Sequence, residues 1–177
     1  MNCLVENQNN LEEKNMYPNL NKDTFKTLYK NNFQIKYENE IKLEVKSKSA
    51  NEAFVRVAIA AFASQLDPTI EQIADIKTAV SEAITNCIIH AYNNSEGVIK
   101  VNAYLTKDSI EIEIIDYGKG IENIDMARQT LYTSKPDSER SGMGFTIMES
   151  FMDELRVESI VGMGTKIHMK KIIKEAQ

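Results

Sequence analysis

The stretch IEIEIIDYGKG, residues 110–120, decides the fold prediction. Its alternation of apolar and charged side chains is typical of a β-strand with one buried face. Side chains alternate between the two faces of a strand, so Asp116 shares a face with Ile110, Ile112 and Ile114 and should point toward the core. An unpaired buried carboxylate is costly, and no Arg or Lys is an obvious partner in the sequence. We therefore expect either a donor-bearing flat ligand at Asp116, such as an adenine amino group, or a loop in which the acid caps nearby backbone.

Paired glycines are the second unusual feature. The chain has seven glycines, and six of them form three G-x-G pairs: Gly118/Gly120, Gly142/Gly144 and Gly162/Gly164. A chain of this length should carry roughly one such pair by chance. None belongs to a Walker loop or a dinucleotide-binding fingerprint. Because each pair adjoins a predicted helix or strand, the pairs indicate backbone that comes close to a ligand.

Hydrophobic periodicity predicts the other elements of a single domain. Alternation predicts strands at 41–45, 98–105, 110–116, 155–160 and 165–172, and helical spacing predicts helices from 49 to about 66, from 69 to about 91 and from 144 to 151. Capping boxes are predicted at Ser49 with Glu52 and at Thr69 with Gln72. This order predicts an α+β domain, a two-layer sandwich in which helices cover one face of a mixed, mostly antiparallel sheet.

Glu82 and Asn86 are candidates for chemistry because they lie four residues apart on one face of the second long helix. A glutamate can accept a proton or orient a hydroxyl, and an asparagine oxygen can ligate a magnesium ion whose other ligands are phosphate oxygens and water. An ordinary polar helix face would look the same. Thr165 resembles Asp116 in placement, since it shares a face with Ile167 and Met169, and its hydroxyl could reach the same ligand. A plain hairpin turn with an inward threonine is the alternative.

The stretch RSGMGFTIMESFMD, residues 140–153, predicts a phosphate site. Gly142 and Gly144 stand at the start of the predicted helix, where free N–H groups and the helix dipole favour an anion. Arg140 just before them could reach a terminal phosphate with its planar guanidinium. A glycine-rich helix start beside a surface arginine is the alternative.

Composition excludes several classes of protein. The chain has 177 residues and a net charge of −5, without the basic stripe of a nucleic-acid binder. No apolar run approaches the length of a membrane span, and no secretory signal precedes the domain, so we expect a cytoplasmic protein. Cys3 and Cys87 are predicted to be reduced thiols rather than a disulfide or a metal site.

The motifs together resemble the Bergerat ATP-binding fold of gyrase-type ATPases and histidine kinases. The resemblance rests on their order: E-x-x-x-N, then D-x-G-x-G, then a polar segment with G-x-G at a helix start, then G-x-G-T. Over residues 37–172 the chain is more closely similar to the anti-sigma F factors of spore-forming bacteria. The similarity is carried by FVRV at 54–57, QLDPT at 65–69, DIKTAVSEAITN at 75–86, IIHAY at 88–92, the whole of 126–153 and GMGT at 162–165.

This resemblance implies a dimeric kinase that uses ATP and Mg²⁺. It implies two partners, the sporulation sigma factor F, which is held inactive, and an anti-anti-sigma factor, which is phosphorylated on serine. It assigns Glu82 as catalytic base, Asn86 as magnesium ligand, and Asp116, Gly118, Gly120 and Thr165 as the adenine site. It places Thr133, Ser134, Arg140, Gly142 and Gly144 in a phosphate-facing lid and makes Arg56 a partner-contact residue.

Several alternatives remain open from the sequence. A related kinase of the general stress response and a nucleotide-gated sigma-binding module without kinase activity are both compatible with parts of the pattern. A gyrase-type ATPase would need a transducer domain, and a sensor histidine kinase would need an upstream phosphoacceptor helix; neither is recognised. Residues 1–36, rich in Asn and Lys, are predicted to be a disordered extension preceding a domain over 37–177. A genuine tail and a start codon placed too far upstream are both possible origins, and we expect deletion of 1–36 to leave ATP affinity unchanged.

Overall fold

A computed structural model describes residues 37–128 and 143–174. In chain order the elements are strand β1 (Asn39–Lys46), helix α1 (Ser49–Ala63) with a 3₁₀ turn (Ser64–Leu66), helix α2 (Ile70–Asn86) with a π-helical turn (Cys87–Ala91), strands β2 (Val98–Leu105) and β3 (Ser109–Asp116), helices α3 (Ile124–Ala127) and α4 (Gly144–Phe151), and strands β4 (Glu154–Ile160) and β5 (Gly164–Ile172). The predicted disordered extension, residues 1–36, lies outside the described residues.

The five strands form one sheet in the order β1-β2-β3-β5-β4. All four pairings between the described strands are antiparallel, so the sheet contains no parallel pair there and the expected mixed character is not seen. The two-layer α+β prediction is confirmed, because α1, α2 and α4 pack against a single face of this sheet. In the described ranges, no helix is long and apolar enough to cross a membrane.

The core lies between the helices and the inner face of the sheet. Registered rows of inward side chains cross the strands, one of them being Leu43, Val101, Ile114, Ile167 and Val157. The helices complete the core with apolar residues at helical spacing: Val55, Ile59 and Phe62 from α1, and Ile76, Val80 and Ala83 from α2. The apolar spacing from which both helices were predicted therefore does face the core.

One predicted capping box is confirmed and one is wrong. The Thr69 hydroxyl accepts the Gln72 N–H at 3.2 Å while the Gln72 side chain accepts the Thr69 N–H at 2.9 Å, which fixes the start of α2. Ser49, in contrast, is already helical, and Lys48 occupies the N-cap position without a side-chain cap. Glu52 therefore has no capping role at Ser49, and its carboxylate instead pairs with Arg56 one turn later.

Candidate active site

The inner face of the sheet becomes polar at one end. The last inward row consists of Val45, Ile99, Asp116, Thr165 and Ser159, in strand order across the sheet. Asp116 and Thr165 are both buried, at 3% and 5% exposed. Their hydroxyl and carboxyl groups thus lie side by side at the edge of the hydrophobic core, as the strand patterns predicted for each residue separately.

Asp116 is held by backbone N–H groups and a thiol. Its Oδ1 accepts the Gly118 N–H at 2.9 Å. Burial raises the pKa of Asp116 to about 6, although hydrogen bonds from the Gly118 and Thr165 N–H groups and from the Cys87 thiol lower it. Burial and the nearby Asp116 carboxylate in turn raise the pKa of Cys87. The loop interpretation is therefore right in part, because the acid does cap its own loop while remaining buried.

The sequence predicted Cys87 only as a reduced thiol, and its contact with Asp116 was not predicted. Nothing in a single buried cysteine marks it as part of a site. The contact matters for the layout, because Cys87 directly follows Asn86 in the chain. The π-helical turn that begins at Cys87 therefore joins the E-x-x-x-N motif to the acid at the end of β3.

Tyr92 is a second residue that sequence reasoning missed. Its hydroxyl donates to the Val98 carbonyl at 2.6 Å and accepts the Tyr117 N–H at 2.8 Å. Its ring also fills the space beside Gly97, where a Cβ would lie 2.2 Å from the ring. Tyr92 thereby ties the end of α2 to the loop that follows Asp116, and burial raises its pKa to about 12. In the sequence, only its place in the IIHAY stretch at 88–92 drew attention to Tyr92.

At Gly118 and at Gly164, two segments of the backbone pass very close to each other. A Cβ on Gly118 would lie 2.5 Å from the Ala91 carbonyl oxygen, and a Cβ on Gly164 would lie 2.1 Å from the Asp116 carbonyl oxygen. Gly164 also has φ +138°, a conformation that disfavours other residues. The close approaches seen here are therefore between parts of the chain itself, and contact of these glycines with a nucleotide stays a prediction.

Gly120 also allows two backbone segments to pass close to each other. The residue that follows it, Ile121, is held by Ser159. A Cβ on Gly120, at φ +71°, would lie 2.3 Å from the Ile160 carbonyl oxygen. Ser159 Oγ accepts the N–H of the next residue, Ile121, at 2.8 Å and lies 2.9 Å from Thr165 Oγ1. Ser159 thus connects the glycine loop to Thr165. It was not predicted, because a polar residue on an edge strand has no distinctive sequence signal.

Glu82, Asn86 and Gly144 are brought together by the packing of α4 on α2. A Cβ on Gly144 would lie 3.2 Å from Glu82 Oε2, 3.3 Å from Asn86 Nδ2 and 3.4 Å from Asn86 Oδ1. The start of α4, where backbone N–H groups have no partner within the helix, therefore lies beside a carboxylate and an amide oxygen. An anion bound at this helix end would be adjacent to both side chains.

Glu82 also lines a groove of about 290 Å³ between α1 and α2. The other lining residues are Arg56, Ala74, Lys77, Thr78 and Ser81. Arg56 forms an i,i+4 ion pair with Glu52, with Nε 3.0 Å from Oε1. The predicted catalytic base and the predicted partner-contact residue hence share one open groove.

Four predicted site residues, Thr133, Ser134, Arg140 and Gly142, lie outside the described residues. The flanks of that segment are described. Arg128 on one side pairs with Glu149 of α4 on the other, with Nε 2.6 Å from Oε1. This ion pair joins the residue that precedes the segment to the C-terminal half of α4.

Comparison with known proteins identifies the family of the chain. Residues 45–171 match the family model for a histidine kinase-like ATPase domain. An anti-sigma F factor of Caldanaerobacter subterraneus subsp. tengcongensis is 61% identical over 127 residues, which are 72% of this chain and 89% of the relative. An anti-sigma F factor of Clostridium kluyveri is 59% identical over 129 residues, covering 73% and 91% of the two chains.

A solved structure supports the fold. The RsbU and RsbW domains of Rv1364c from Mycobacterium tuberculosis superpose with a TM-score of 0.58 at 19% identity, over 78% of this chain. The chain spans 33% of the length of that structure. At this identity the likeness concerns the fold alone.

Proposed function

The chain belongs to the family of anti-sigma F factors and carries a histidine kinase-like ATPase domain, and from this premise we propose that it is an ATP-dependent protein serine kinase. In this proposal it binds a sporulation sigma factor, holds it inactive, and phosphorylates a serine of an anti-anti-sigma partner. It would act as a homodimer, as the family resemblance implies.

One observation carries the kinase proposal: the start of α4 lies against Glu82 and Asn86. This arrangement combines an anion-binding helix end, a carboxylate and an amide oxygen in one place. These are the groups needed to hold a terminal phosphate, to ligate magnesium and to accept a proton. The family model by itself would be equally satisfied by an ATPase that never transfers phosphate to a protein.

The residues present suit ATP and magnesium. Asp116 offers a buried acceptor to the adenine amino group, with Gly118, Gly120 and Thr165 around it, and the start of α4 offers N–H donors to phosphate. Asn86 would ligate the magnesium ion, which binds few protein ligands and takes its others from phosphate oxygens and water. When bound, MgATP supplies the phosphoryl group and partly neutralises its charge.

Glu82 would act on the acceptor serine. It accepts a hydrogen bond from the serine hydroxyl, orients the oxygen toward the phosphate end of the site, and takes the hydroxyl proton during transfer. The groove between α1 and α2 gives a partner segment access to Glu82, and Arg56 stands within that groove. Catalysis in this scheme comes mainly from positioning.

The test is intact-mass spectrometry of the anti-anti-sigma protein of the same genome after incubation with this chain and MgATP. We expect a single added phosphate on one serine. Glu82→Gln should bind ATP normally and transfer phosphate roughly 10²–10⁴-fold more slowly. Glu96→Gln, the same change at an exposed position, should behave as the unmodified chain.

Two outcomes would contradict the proposal. Full transfer by the Glu82→Gln variant would remove Glu82 from the reaction. Absence of phosphate with ATP still bound would leave a nucleotide-gated binding protein, and the proposal of a kinase would be abandoned.

A further inference from the structure

The groove between α1 and α2 collects the positive charge of the helix layer. Arg56 is the only basic residue of α1, Lys77 is the only one of α2, and α4 has none. Both side chains line the groove, together with the proposed catalytic base Glu82. The same three helices carry more acids than bases, namely Glu52, Glu71, Asp75, Glu82 and Glu149. The groove is therefore a locally cationic site on an otherwise acidic layer.

Lys77 differs from Arg56 in having no partner within the domain. Arg56 Nε already pairs with Glu52 at 3.0 Å. Within residues 37–128 and 143–174, the side chain of Lys77 forms neither an ion pair nor a hydrogen bond. The positions three and four residues away on α2, where a helical partner would stand, hold no acid: they are Ile73, Ala74, Val80 and Ser81. The Lys77 ammonium group is therefore available to a carboxylate of another molecule.

Ser81 adds a second donor one turn after Lys77. It lines the same groove, and its hydroxyl has no hydrogen-bond partner among the residues that the structure describes. The neighbouring Thr78 hydroxyl, in contrast, donates to the Ala74 carbonyl at 2.9 Å. Residues four apart on a helix are neighbours, with Cβ atoms about 5–6 Å apart. Lys77 and Ser81 thus present an ammonium group and a hydroxyl side by side, and a carboxylate can accept from both.

The two donors lie on the side of Glu82 that faces away from the proposed magnesium ligand. At a rise of about 1.5 Å per residue, Lys77 precedes Glu82 by about 7.5 Å along α2, and Asn86 follows it by about 6 Å. The start of α4, where the nucleotide phosphates are proposed to bind, lies against Glu82 and Asn86. Lys77 is therefore placed toward the protein substrate rather than toward the nucleotide. An extended chain covers about 7 Å in two residues.

We propose that Lys77 and Ser81 form a carboxylate-binding subsite, which recognises an acidic residue about two positions from the acceptor serine of the protein substrate. The inference rests on the proposed kinase function and names the substrate that the groove selects. Glu82 holds the serine hydroxyl and Lys77 holds the neighbouring carboxylate, so the acceptor segment is fixed at two points. The chain has a net charge of −5 and repels acidic segments elsewhere, so this local cation also determines where such a segment docks.

Equilibrium binding of the anti-anti-sigma protein of the same genome tests the inference. The measurement uses the full chain with MgADP, which cannot supply the phosphoryl group, so it does not depend on phosphotransfer. We expect Lys77→Glu to weaken binding by about tenfold or more, because it replaces an attraction by a repulsion. Lys77→Arg keeps the charge and should stay within about threefold of the unmodified chain. Lys107→Glu, the same change at an exposed turn between β2 and β3, should bind normally.

A second set of measurements locates the effect in the acceptor segment. With MgATP, Lys77→Glu should raise the KM for the anti-anti-sigma protein while kcat stays within about threefold, because Glu82 and Asn86 are unchanged. Calorimetric titration should show unaltered ATP affinity. Each acid within three positions of the phosphorylated serine is then changed to lysine and combined with Lys77→Glu. One combination should bind better than the product of the two single effects predicts.

The outcomes separate this inference from the kinase proposal. Binding without phosphotransfer by the unmodified chain would remove the kinase activity alone, and the binding comparison would still decide the role of Lys77. Normal binding by Lys77→Glu, with circular dichroism showing a folded chain, would overturn the subsite alone. A loss of ATP affinity in this variant would also overturn it, because Lys77 would then contact the nucleotide. Strictly independent effects of every acid on the partner would do the same.

Discussion

Gly144 leaves just enough room for Glu82: a Cβ at position 144 would lie 3.2 Å from Glu82 Oε2. The same atom would lie 3.3 Å from Asn86 Nδ2. The first turn of α4 therefore rests on both polar residues of the E-x-x-x-N motif. The helix itself would accept other residues at this position, so the tight fit at Gly144 comes from its contact with Glu82 and Asn86.

Gly144→Ala should reduce activity without reducing stability. The added methyl group pushes the Glu82 carboxylate by a few tenths of an ångström, and small misplacements of a reacting group are costly, so we expect phosphotransfer to fall roughly tenfold to hundredfold. Alanine is a better helix former than glycine by up to about 1 kcal/mol, so the midpoint of thermal unfolding should stay or rise. Ser150→Ala on the exposed side of α4 is the control. Full activity of Gly144→Ala would show that Glu82 tolerates the shift.

Asp116→Asn should make the stability of the nucleotide-free chain less dependent on pH. The pKa of Asp116 is about 6 in the folded chain against 3.8 for the ordinary group, so the folded state binds the proton more tightly. The stability contributed by the protonated form is full below about pH 4 and is lost as the pH rises through about 6. The loss is on the order of 3 kcal/mol. About 2 kcal/mol of this loss falls between pH 4.5 and pH 7.5, and urea unfolding at these two pH values measures it.

The variant Asp67→Asn makes the same chemical change at an exposed turn and should leave the pH profile of the chain unaltered. If the Asp116→Asn variant loses as much stability between pH 4.5 and 7.5 as the unmodified chain does, the buried carboxyl group is not the source of the pH dependence. In the proposed adenine site, Asp116→Asn should also weaken ATP binding at least tenfold, because an amide nitrogen replaces an acceptor oxygen. Calorimetric titration with ATP at pH 7.5 tests this second effect.

Ser159→Ala should loosen the glycine loop. The substitution removes the acceptor of the Ile121 N–H and the contact with Thr165 Oγ1. This bond is part-buried, so we expect a cost of about 1 kcal/mol, toward the lower end for an unsatisfied donor, which denaturant unfolding can resolve. Ser159→Thr keeps the hydroxyl and suits a strand, so it should restore most of the loss. Equal destabilisation by both variants would point to packing rather than to the hydrogen bonds.

Arg56→Ala should weaken partner binding while sparing the fold and ATP binding. The Arg56–Glu52 pair is a partly exposed i,i+4 contact and is worth only about 0.3–0.5 kcal/mol. If Arg56 contacts the anti-anti-sigma partner, its removal should lower affinity about tenfold or more, measured by surface plasmon resonance. Arg156→Ala, which breaks a comparable pair with Glu154 on the opposite face, is the matched control. If Arg56→Ala and Arg156→Ala both change the affinity for the partner only slightly and to a similar degree, Arg56 does not contact the partner.

Local patterns in the sequence were sufficient for most elements of the fold. The alternation around Asp116, the Thr69 capping box and the start of the last helix at Gly144 were all predicted correctly, because each depends on residues within a few positions of one another. The Ser49 capping box failed for the opposite reason. Whether a residue stands at the N-cap or at the first helical position depends on the path of the chain from the preceding strand, which the four-residue motif does not determine. The site motifs were recognised by their order, which is also a property of the sequence.

The sequence by itself determined the order of helices and strands, the buried acid at the end of β3, and the membership of the anti-sigma F factor family. The tertiary structure alone decided that the Cys87 thiol meets Asp116, that Ser159 holds the glycine loop, and that Arg56 and Glu82 line one groove. Each of these contacts joins residues more than 20 positions apart. Their meeting depends on sheet register and on the packing of helices against the sheet, which no local periodicity encodes.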